Sequence, residues 1–343
     1  MMFKLFGKTG LRVSELCLGT MTFGTEWNTG ADYETSKKIF EAYAHLGGNF
    51  IDTANRYTEG TSEKWVGEFI ASDRDYFVVA TKYTLYDNRS NPNANGNHRK
   101  NMIRSVEGSL RRLQTDFIDI LWVHMWDFTT SPEEVMRGLD DLVRQGKVLY
   151  VGISDTPAWI VAQCNTLAEL RGWTAFAGLQ IEYSLIQRSA ERDLLPMAKH
   201  FGMTVTPWSP LGAGMLTGKY NKGIPTNQPA RLTEKSPKYN SRNQAIAQVV
   251  CQVANAIGAT PAQVALAWLR QQGDNIIPIL GARNLEQIRD CLACLQVQIP
   301  AEHLATLDQA SKIELGFPHD FLQLPTVKDV MFADTKDKIV FRK

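Results

Sequence analysis

Eight short apolar segments, separated by stretches of helical periodicity, constrain the fold of this chain more than any other sequence feature. They are Leu16–Gly19, Phe50–Asp52, Tyr76–Thr81, Phe117–Val123, Val148–Ile153, Gly178–Glu182, Thr204–Pro207 and Ile276–Leu280. Strands that are buried on both faces read as continuous apolar runs of this kind. Eight strand–helix units in 343 residues predict an α/β fold, the (β/α)₈ TIM barrel, with a doubly wound sheet as the competing arrangement.

The segments around these strands complete a single-domain organisation. Helical periodicity is clearest over Tyr33–Leu46, Asn101–Leu113, Pro132–Arg144 and Ala190–His200. Because no Pro/Ser-rich linker divides the chain, residues 1–343 are interpreted as one domain, with an N-terminal β-hairpin at 1–15, the barrel at 16–312 and a tail at 313–343. The turn-rich stretch Pro210–Ser241 predicts a long functional loop after strand 7. The tail is expected to lie over the barrel mouth.

The charge balance points to a small-molecule ligand. With 37 basic and 36 acidic residues the net charge is +1, so the sequence indicates neither a nucleic-acid partner nor a membrane partner. Such a charge permits association into oligomers but does not require it. The stretch Asn243–Leu269 is interpreted as two amphipathic helices rather than a membrane span, because a Gly-Ala-Thr-Pro break interrupts it.

The cysteines favour a reducing compartment. Five are scattered along the chain, and the one close pair, Cys291 and Cys294, lies in a helical pattern without a second pair to complete a zinc site. Reduced core thiols are therefore expected, and the N-terminus has no long apolar segment typical of a signal peptide. Together these features predict a cytoplasmic protein.

Polar side chains end three successive predicted strands. Asp52 ends the second, Lys82 the third and His124 the fourth, and Tyr57 follows Asp52 by five residues. Each has an ordinary explanation taken alone: a helix cap, a solvated charge, a core histidine or a loop aromatic. Because chemistry in TIM barrels lies at the carboxyl ends of the strands, the set together predicts an active site.

The chemistry that this set favours is carbonyl reduction. A Lys82 ammonium paired with Asp52 would favour the phenolate of Tyr57 and lower its pKa from about 10, making it a better proton donor near neutral pH. His124 could hydrogen-bond the same oxygen. No serine or cysteine nucleophile stands beside a base, which disfavours acyl transfer. A glycosidase would need paired carboxylates such as Asp52 and Glu182, but Lys82 would neutralise the first.

At these residues the sequence resembles the aldo-keto reductases. The shared motifs occur in family order: GTMTFG at 19–24, FIDTA at 50–54 with Tyr57, TK at 81–82, LWVH at 121–124, GIS at 152–154, QIEYS at 180–184, PWSPL at 207–211, and GAR at 281–283 with Gln287. Within the family, the long loop after strand 7 is similar to that of aryl-alcohol dehydrogenases and potassium-channel β-subunits.

The resemblance implies NADPH-dependent, reversible reduction of aldehydes or ketones to alcohols. Tyr57 would be the general acid/base, Asp52 and Lys82 would tune it, and His124 would orient the carbonyl. The implied cofactor contacts are Thr20, Ser154, Asp155, Gln180, Trp208, Ser209, Pro210, Leu211, Gly212, Gly214, Leu216, Lys219, Gly281, Arg283 and Gln287. Among these, Ser154, Asp155 and Gln180 would hold the carboxamide, and Trp208 would stack on the nicotinamide. The glycines of the loop would bring backbone N–H groups to the pyrophosphate.

Preference for NADPH depends on Arg283, whose guanidinium suits a 2′-phosphate as a forked donor; the alternative is a solvated residue at a helix start. Two positions depart from the family pattern. Asp155 stands where many members have asparagine, and it could instead cap the helix that begins near Pro157. Cys291 stands where an asparagine often contacts the adenine.

An aromatic substrate pocket is expected from Trp27, Tyr83 and Trp126 beside Tyr57, with Phe317 and Phe321 of the tail closing over it. Such a pocket fits aromatic or aliphatic carbonyls. The alternative function is a regulatory subunit of the channel β-subunit type, which would bind the nicotinamide cofactor and catalyse slowly.

Overall fold

A computed structural model describes residues 1–225 and 230–340. A hairpin of β1 (Phe3–Leu5) and β2 (Arg12–Ser14) precedes eight parallel strands. These are β3 (Cys17–Gly19), β4 (Phe50–Asp52), β5 (Val78–Tyr83), β6 (Ile118–Val123), β7 (Val148–Ser154), β8 (Gly178–Glu182), β9 (Thr204–Trp208) and β10 (Ile279–Leu280). Their order, β10-β3-β4-β5-β6-β7-β8-β9, confirms the predicted TIM barrel over the doubly wound sheet.

The barrel closes between β9 and the segment that precedes β10. Val205 and Ile276 form a parallel bridge, and the Ile277 N–H donates to the Val205 carbonyl at 2.9 Å. The predicted strand Ile276–Leu280 is therefore used in two parts, the first pairing with β9 and the second with β3. Pro278 separates the two parts because it has no N–H to donate.

Helices lie around the barrel and in the C-terminal tail. They are α1 (Tyr33–His45), α2 (Thr61–Ile70), α3 (Arg99–Leu113), α4 (Pro132–Arg144), α5 (Ala158–Arg171), α6 (Leu194–Phe201), α7 (Ser241–Ile257), α8 (Pro261–Arg270), α9 (Leu285–Leu292), α10 (Ala301–Ser311), α11 (His319–Gln323) and α12 (Pro325–Phe332). The predicted pair within 243–269 is confirmed as α7 and α8, and Thr260 and Gln263 form a capping box at the start of α8. The predicted helix Ala190–His200 begins later, at Leu194.

Within the described ranges, no single helix is long and apolar enough to cross a membrane; α7 and α8 meet that test only as a pair, bent by 94° at their junction. The five cysteines are free, and Cys291 and Cys294 are buried, as expected for core thiols.

The lower part of the barrel interior is filled by aromatic rings. Phe6, from the hairpin, lies 6.0 Å from the rings of both Phe50 and Trp122. Trp122 lies across β7 and β8, where a Cβ at Gly152 would come within 2.3 Å of the indole. A Cβ at Gly178 would come within 2.4 Å of the Phe6 ring. The two glycines therefore make room for the rings, and only the upper mouth of the barrel is left for chemistry.

The tail differs from the barrel in its packing. Helices α11 and α12 have no buried residue. Phe317 and Phe321 lie 5.9 Å apart, ring to ring, and remain 84% and 48% exposed. These two rings contact one another and do not form the pocket wall that the sequence analysis predicted.

Candidate active site

Lys82 is the centre of the charged cluster at the barrel mouth. Its side chain is fully buried, and it donates to Asp52 Oδ2 at 2.5 Å, to the Thr53 carbonyl at 2.7 Å and to Tyr57 Oη at 3.0 Å. These three bonds use all three ammonium hydrogens. The structure thus brings together Asp52, Lys82 and Tyr57, and the buried charges are paired as desolvation requires.

A left-handed turn aims Tyr57 at this ammonium. Thr58 and Glu59 have φ of 46° and 55°, which is unusual for residues with a side chain. The Thr58 hydroxyl donates to the Phe23 carbonyl at 2.6 Å and accepts from the Ser62 N–H at 3.2 Å. Backbone strain of this kind persists only where neighbouring contacts hold it, and it is concentrated at functional sites.

His124 completes the group on the far side of Tyr57. It directly follows β6, and its ring centroid lies 6.1 Å from that of Tyr57. Burial, with a smaller contribution from Lys82, lowers the pKa of His124 to about 3. The imidazole is therefore neutral at physiological pH and can donate one N–H to a carbonyl oxygen while remaining uncharged.

The expected lowering of the Tyr57 pKa is wrong for this structure. Burial raises the pKa of the phenol above its ordinary value, and Lys82 opposes this while Asp52 adds to it. For Lys82 itself, burial would lower the pKa, but Asp52 and Tyr57 outweigh burial and the pKa is raised. Tyr57 is thus protonated and Lys82 charged at neutral pH.

The carboxamide contacts implied by the resemblance lie together at the ends of β7 and β8. Ser154 and Gln180 are paired in register and almost fully buried. Asp155, with φ of 38°, accepts a hydrogen bond from the Trp208 indole N–H at 3.0 Å. It does not cap α5, whose N-cap position is Pro157. Burial raises the pKa of Asp155, and the Trp208 bond and Lys82 oppose this rise.

Sequence reasoning missed Lys238, which comes from the long loop after β9. Its ammonium pairs with Glu182, lies 3.4 Å from the Ser209 hydroxyl and 5.6 Å from the centre of the Trp208 ring. Lys238 and Glu182 are 56 residues apart, and no local pattern connects them. Because Glu182 is bound by Lys238 and Asp52 by Lys82, neither carboxylate is free for the glycosidase alternative.

The loop predicted to cradle a pyrophosphate is only partly suited to that role. The N–H groups of Gly212, Gly214 and Leu216 donate to carbonyls of the same turn, those of Ser209 and Leu211. These three amides are therefore not free for a phosphate in this structure. The side chains of Leu216 and Pro210 are buried, whereas the Lys219 ammonium lies 5.1 Å from the centre of the Tyr220 ring.

Thr20, another implied cofactor contact, is fully buried below the mouth. Its hydroxyl donates to the Asp52 carbonyl at 3.1 Å and is within 2.8 Å of the Ser62 hydroxyl. The Thr20 side chain thus supports the backbone of Asp52. Its contact with a cofactor stays a prediction.

The adenosine end of the implied site carries a second guanidinium. The Arg283 N–H donates to Gln287 Oε1 at 2.9 Å, and Gly281 beside them is exposed. Arg231, which sequence reasoning missed, has a pKa that is lowered by desolvation and then by repulsion from Arg283. Among the described residues, neither guanidinium forms an ion pair. An anion bound near both guanidinium groups would relieve this repulsion.

Of the predicted substrate pocket, Trp27 lies at the mouth, with its ring 6.3 Å from that of Tyr57. The interpretation of Tyr83 is wrong: it is fully buried in the layer between strands and helices, and its hydroxyl donates to the Asn97 carbonyl at 3.2 Å. Since side chains alternate along a strand, an inward Lys82 requires an outward Tyr83. Trp126 also packs in this hydrophobic layer between the strands and the helices.

The rim beside Trp27 contains a stacked cation that was also missed. The Arg56 guanidinium lies 4.4 Å from the centre of the Tyr86 ring and 5.9 Å from that of Trp27. It also pairs with Glu59. This group forms the wall of the mouth next to Tyr57.

Comparison with known proteins gives a family match over the barrel. The sequence profile of the aldo/keto reductase family matches residues 15–312. Norsolorinic acid reductase of Aspergillus flavus is 39% identical, over 94% of this chain and 84% of that protein. A putative aryl-alcohol dehydrogenase of Saccharomyces cerevisiae is 36% identical, over 93% of this chain and 89% of that protein. Norsolorinic acid reductase B of Dothistroma septosporum is 41% identical, over 91% and 82%.

Proposed function

The chain belongs to the aldo/keto reductase family and is an oxidoreductase, and we propose that it reduces aldehydes or ketones to alcohols with NADPH, using Tyr57 as the general acid. The observation that supports this most directly is the 3.0 Å hydrogen bond from the buried Lys82 ammonium to the Tyr57 hydroxyl. A phenol held in this way can give its proton to a developing alkoxide, because the positive charge stabilises the phenolate that remains.

The neutral state of His124 fits the same reaction. A neutral imidazole donates an N–H to the carbonyl oxygen and polarises it without adding a charge that would compete with Lys82. Tyr57 and His124 thus approach the same oxygen from two sides, their ring centroids 6.1 Å apart. In the reverse direction, the Tyr57 phenolate accepts the proton of the alcohol.

Residues at the ends of β7, β8, β9 and β10, together with the long loop after β9, support the proposed cofactor site. When bound, a nicotinamide would supply the hydride that goes to the carbonyl carbon. Ser154 and Gln180 place buried polar groups at the edge of the mouth formed by β7 and β8. The indole of Trp208 is held by the hydrogen bond from its N–H to Asp155. We propose that Arg283 and Arg231 bind the 2′-phosphate, which makes the site selective for NADPH over NADH.

The substrate class is proposed from the wall around Tyr57. Trp27, with Arg56 and Tyr86 stacked beside it, gives a flat, partly apolar surface next to the proton donor. Aromatic carbonyl compounds fit such a surface. Discrimination among them is expected to be modest, since each methylene in an apolar pocket contributes only about 1–3 kcal/mol.

The experiment that tests the proposal is a titration with NADPH and with NADH, followed by quenching of tryptophan fluorescence, and then turnover of benzaldehyde. We expect NADPH to bind at least tenfold more tightly, about 1.4 kcal/mol. The Arg283→Met and Arg231→Met variants should each reduce that preference, whereas Arg171→Met, on α5, should not. Failure of both nucleotides to bind would refute the proposed function. Equal binding would refute only the role of the two arginines.

A further inference from the structure

One hydrogen bond crosses the mouth of the barrel and joins its two functional sides. The Gln180 Nε2 group donates to Asp52 Oδ1 at 2.8 Å. Asp52 ends β4, and Gln180 lies in β8, which stands opposite β4 with three strands between them on either side. The two residues are each 3% exposed, and 128 residues separate them in the chain.

The chemistry of the two groups fixes which end of the amide faces Asp52. An ionised carboxylate can only accept, so the NH₂ end of Gln180 must point to it. Each carboxylate oxygen then has one donor, with Lys82 on Oδ2 and Gln180 on Oδ1. Among the described residues, no donor is assigned to the amide oxygen of Gln180. The acceptor end is therefore left for a group that enters from the mouth.

We propose that Gln180 is a positioning residue that links the nicotinamide side of the mouth to the proton donor, through Asp52 and Lys82. The inference rests on the proposed function, which places the carboxamide of the cofactor beside Gln180. A carboxamide N–H that donates to the Gln180 oxygen polarises the amide and strengthens its N–H as a donor to Asp52, since hydrogen bonds in a chain reinforce one another. Occupancy of the cofactor site is thereby communicated to Tyr57.

The direction of the effect follows from the charges that face Tyr57. Lys82 of β5 stabilises the phenolate, whereas Asp52 of β4 and Asp155 after β7 destabilise it, and His124 is neutral. A stronger hydrogen bond to Asp52 disperses its negative charge and leaves more of the Lys82 charge uncompensated. The Tyr57 phenol then becomes more acidic. Loss of the Gln180 bond has the opposite effect and raises the pKa of Tyr57.

The first test measures Tyr57 ionisation in the protein without cofactor. Tyrosine labelled with ¹³C at Cζ is titrated by NMR, over the pH range in which circular dichroism stays native, and the Tyr57→Phe variant identifies the signal. In Gln180→Met we expect the Tyr57 pKa to rise by about half a unit. The matched control is Thr206→Val, because Thr206 is the register partner of Gln180, is fully buried, and its hydroxyl has no hydrogen-bond partner among the described residues. It should leave the Tyr57 titration unchanged.

The second test isolates the link to the cofactor. Wild-type protein is titrated with bound NADP⁺ and with its 3-acetylpyridine analogue, which has the same ring charge but no carboxamide N–H. We expect NADP⁺ to lower the Tyr57 pKa further than the analogue does, and this difference to vanish in Gln180→Met. Gln180→Asn, one methylene shorter, serves as a second variant if the methionine variant does not fold.

Three outcomes are distinguishable. An unchanged Tyr57 titration in both Gln180 variants, even with weaker nucleotide binding, would overturn the inference and leave Gln180 as a cofactor contact only. Equal shifts with NADP⁺ and the analogue in the wild type would overturn the link to the carboxamide. Absence of nucleotide binding in the wild type would refute the proposed function, while the cofactor-free titration would still test the bond to Asp52.

Discussion

Two parts of this chain carry phenylalanine side chains that differ greatly in what they contact. Phe6 of the hairpin enters the barrel from below, is fully buried and touches Phe50 and Trp122. Phe321 of the tail lies on the short helix α11, is 48% exposed and touches mainly Phe317. The apolar content of the two segments is similar, so composition does not account for the difference.

The difference arises from how many neighbouring elements constrain each segment. The interior of the barrel is enclosed by eight paired strands, and Gly152 and Gly178 leave the space that the rings of Trp122 and Phe6 fill. Nothing comparable surrounds α11 and α12, which have no buried residue. The packed interior holds the barrel strands in place. Lys82 and Asp52 lie near the carboxyl ends of two of these strands, β5 and β4.

The largest expected effect is on folding, from Phe6→Ala. Removing a fully buried ring that contacts two others should lower the free energy of unfolding by about 3–5 kcal/mol, because the barrel strands cannot collapse into the cavity. Urea unfolding followed by circular dichroism measures this. Phe3→Ala, in the same hairpin but 47% exposed, is the matched control and should change stability by less than about 0.5 kcal/mol. Equal losses in the two variants would contradict the enclosed-interior account.

The next effect is on catalysis, from Lys82→Met. The substitution removes the cation that stabilises the Tyr57 phenolate. Among the described residues, it leaves the buried Asp52 carboxylate with Gln180 as its one side-chain hydrogen-bond donor. We expect kcat/KM for benzaldehyde to fall by about 100-fold or more, with nucleotide affinity changed much less. Lys147→Met, on the outside of the barrel, is the control. A fall in nucleotide affinity that matched the fall in kcat/KM would indicate that Lys82 acts on binding rather than on proton transfer.

The same contrast between enclosed and open regions explains what the sequence could predict. Continuous apolar runs predicted all eight strands, and polar residues at the strand ends predicted that Asp52, Lys82 and His124 lie at one mouth, since both features are local. Period-2 alternation would have placed Tyr83 outside the barrel once Lys82 was placed inside, so that error was avoidable. The bond from Gln180 to Asp52 was not readable, because it joins opposite strands across 128 residues.

Long loops were less predictable than strands for a physical reason. Lys238 reaches Glu182 from a segment without periodicity, and Arg231, whose pKa is lowered in part by Arg283, belongs to the same loop. No repeating pattern relates such residues to the barrel axis. Phe317 and Phe321 of the tail show the converse. Their apolar side chains suggested burial, but the described elements leave both rings exposed.

A smaller effect is expected in the pH dependence of stability, through His124. Its pKa is lowered from 6.5 to about 3 in the folded protein, so the unfolded chain takes up a proton that the folded chain does not. Stability from this group is therefore lost as the pH falls from about 6.5 towards 3, by about 1.4 kcal/mol per pH unit at the steepest. In His124→Gln the free energy of unfolding should depend less on pH, because unfolding no longer takes up this proton. Urea unfolding between pH 4 and 7 measures the change. An equal slope in the wild type and in His124→Gln would contradict the lowered pKa of His124.

The smallest expected effect, from Phe321→Ala, tests the other side of the comparison. Because the ring is half exposed and its main contact is another tail residue, its removal should change the free energy of unfolding by less than about 0.5 kcal/mol. The tail would still matter for function if it closed over bound substrate, and then the KM for benzaldehyde would rise while kcat stayed unchanged. Trp27→Ala, which removes the ring that contacts Tyr57, is the matched comparison at the mouth and should raise KM by about tenfold. If Phe321→Ala raised KM as much as Trp27→Ala does, the exposed tail would have to become part of the pocket when substrate binds. An unchanged KM would restrict the pocket to the barrel mouth and the loops that rise from its strands.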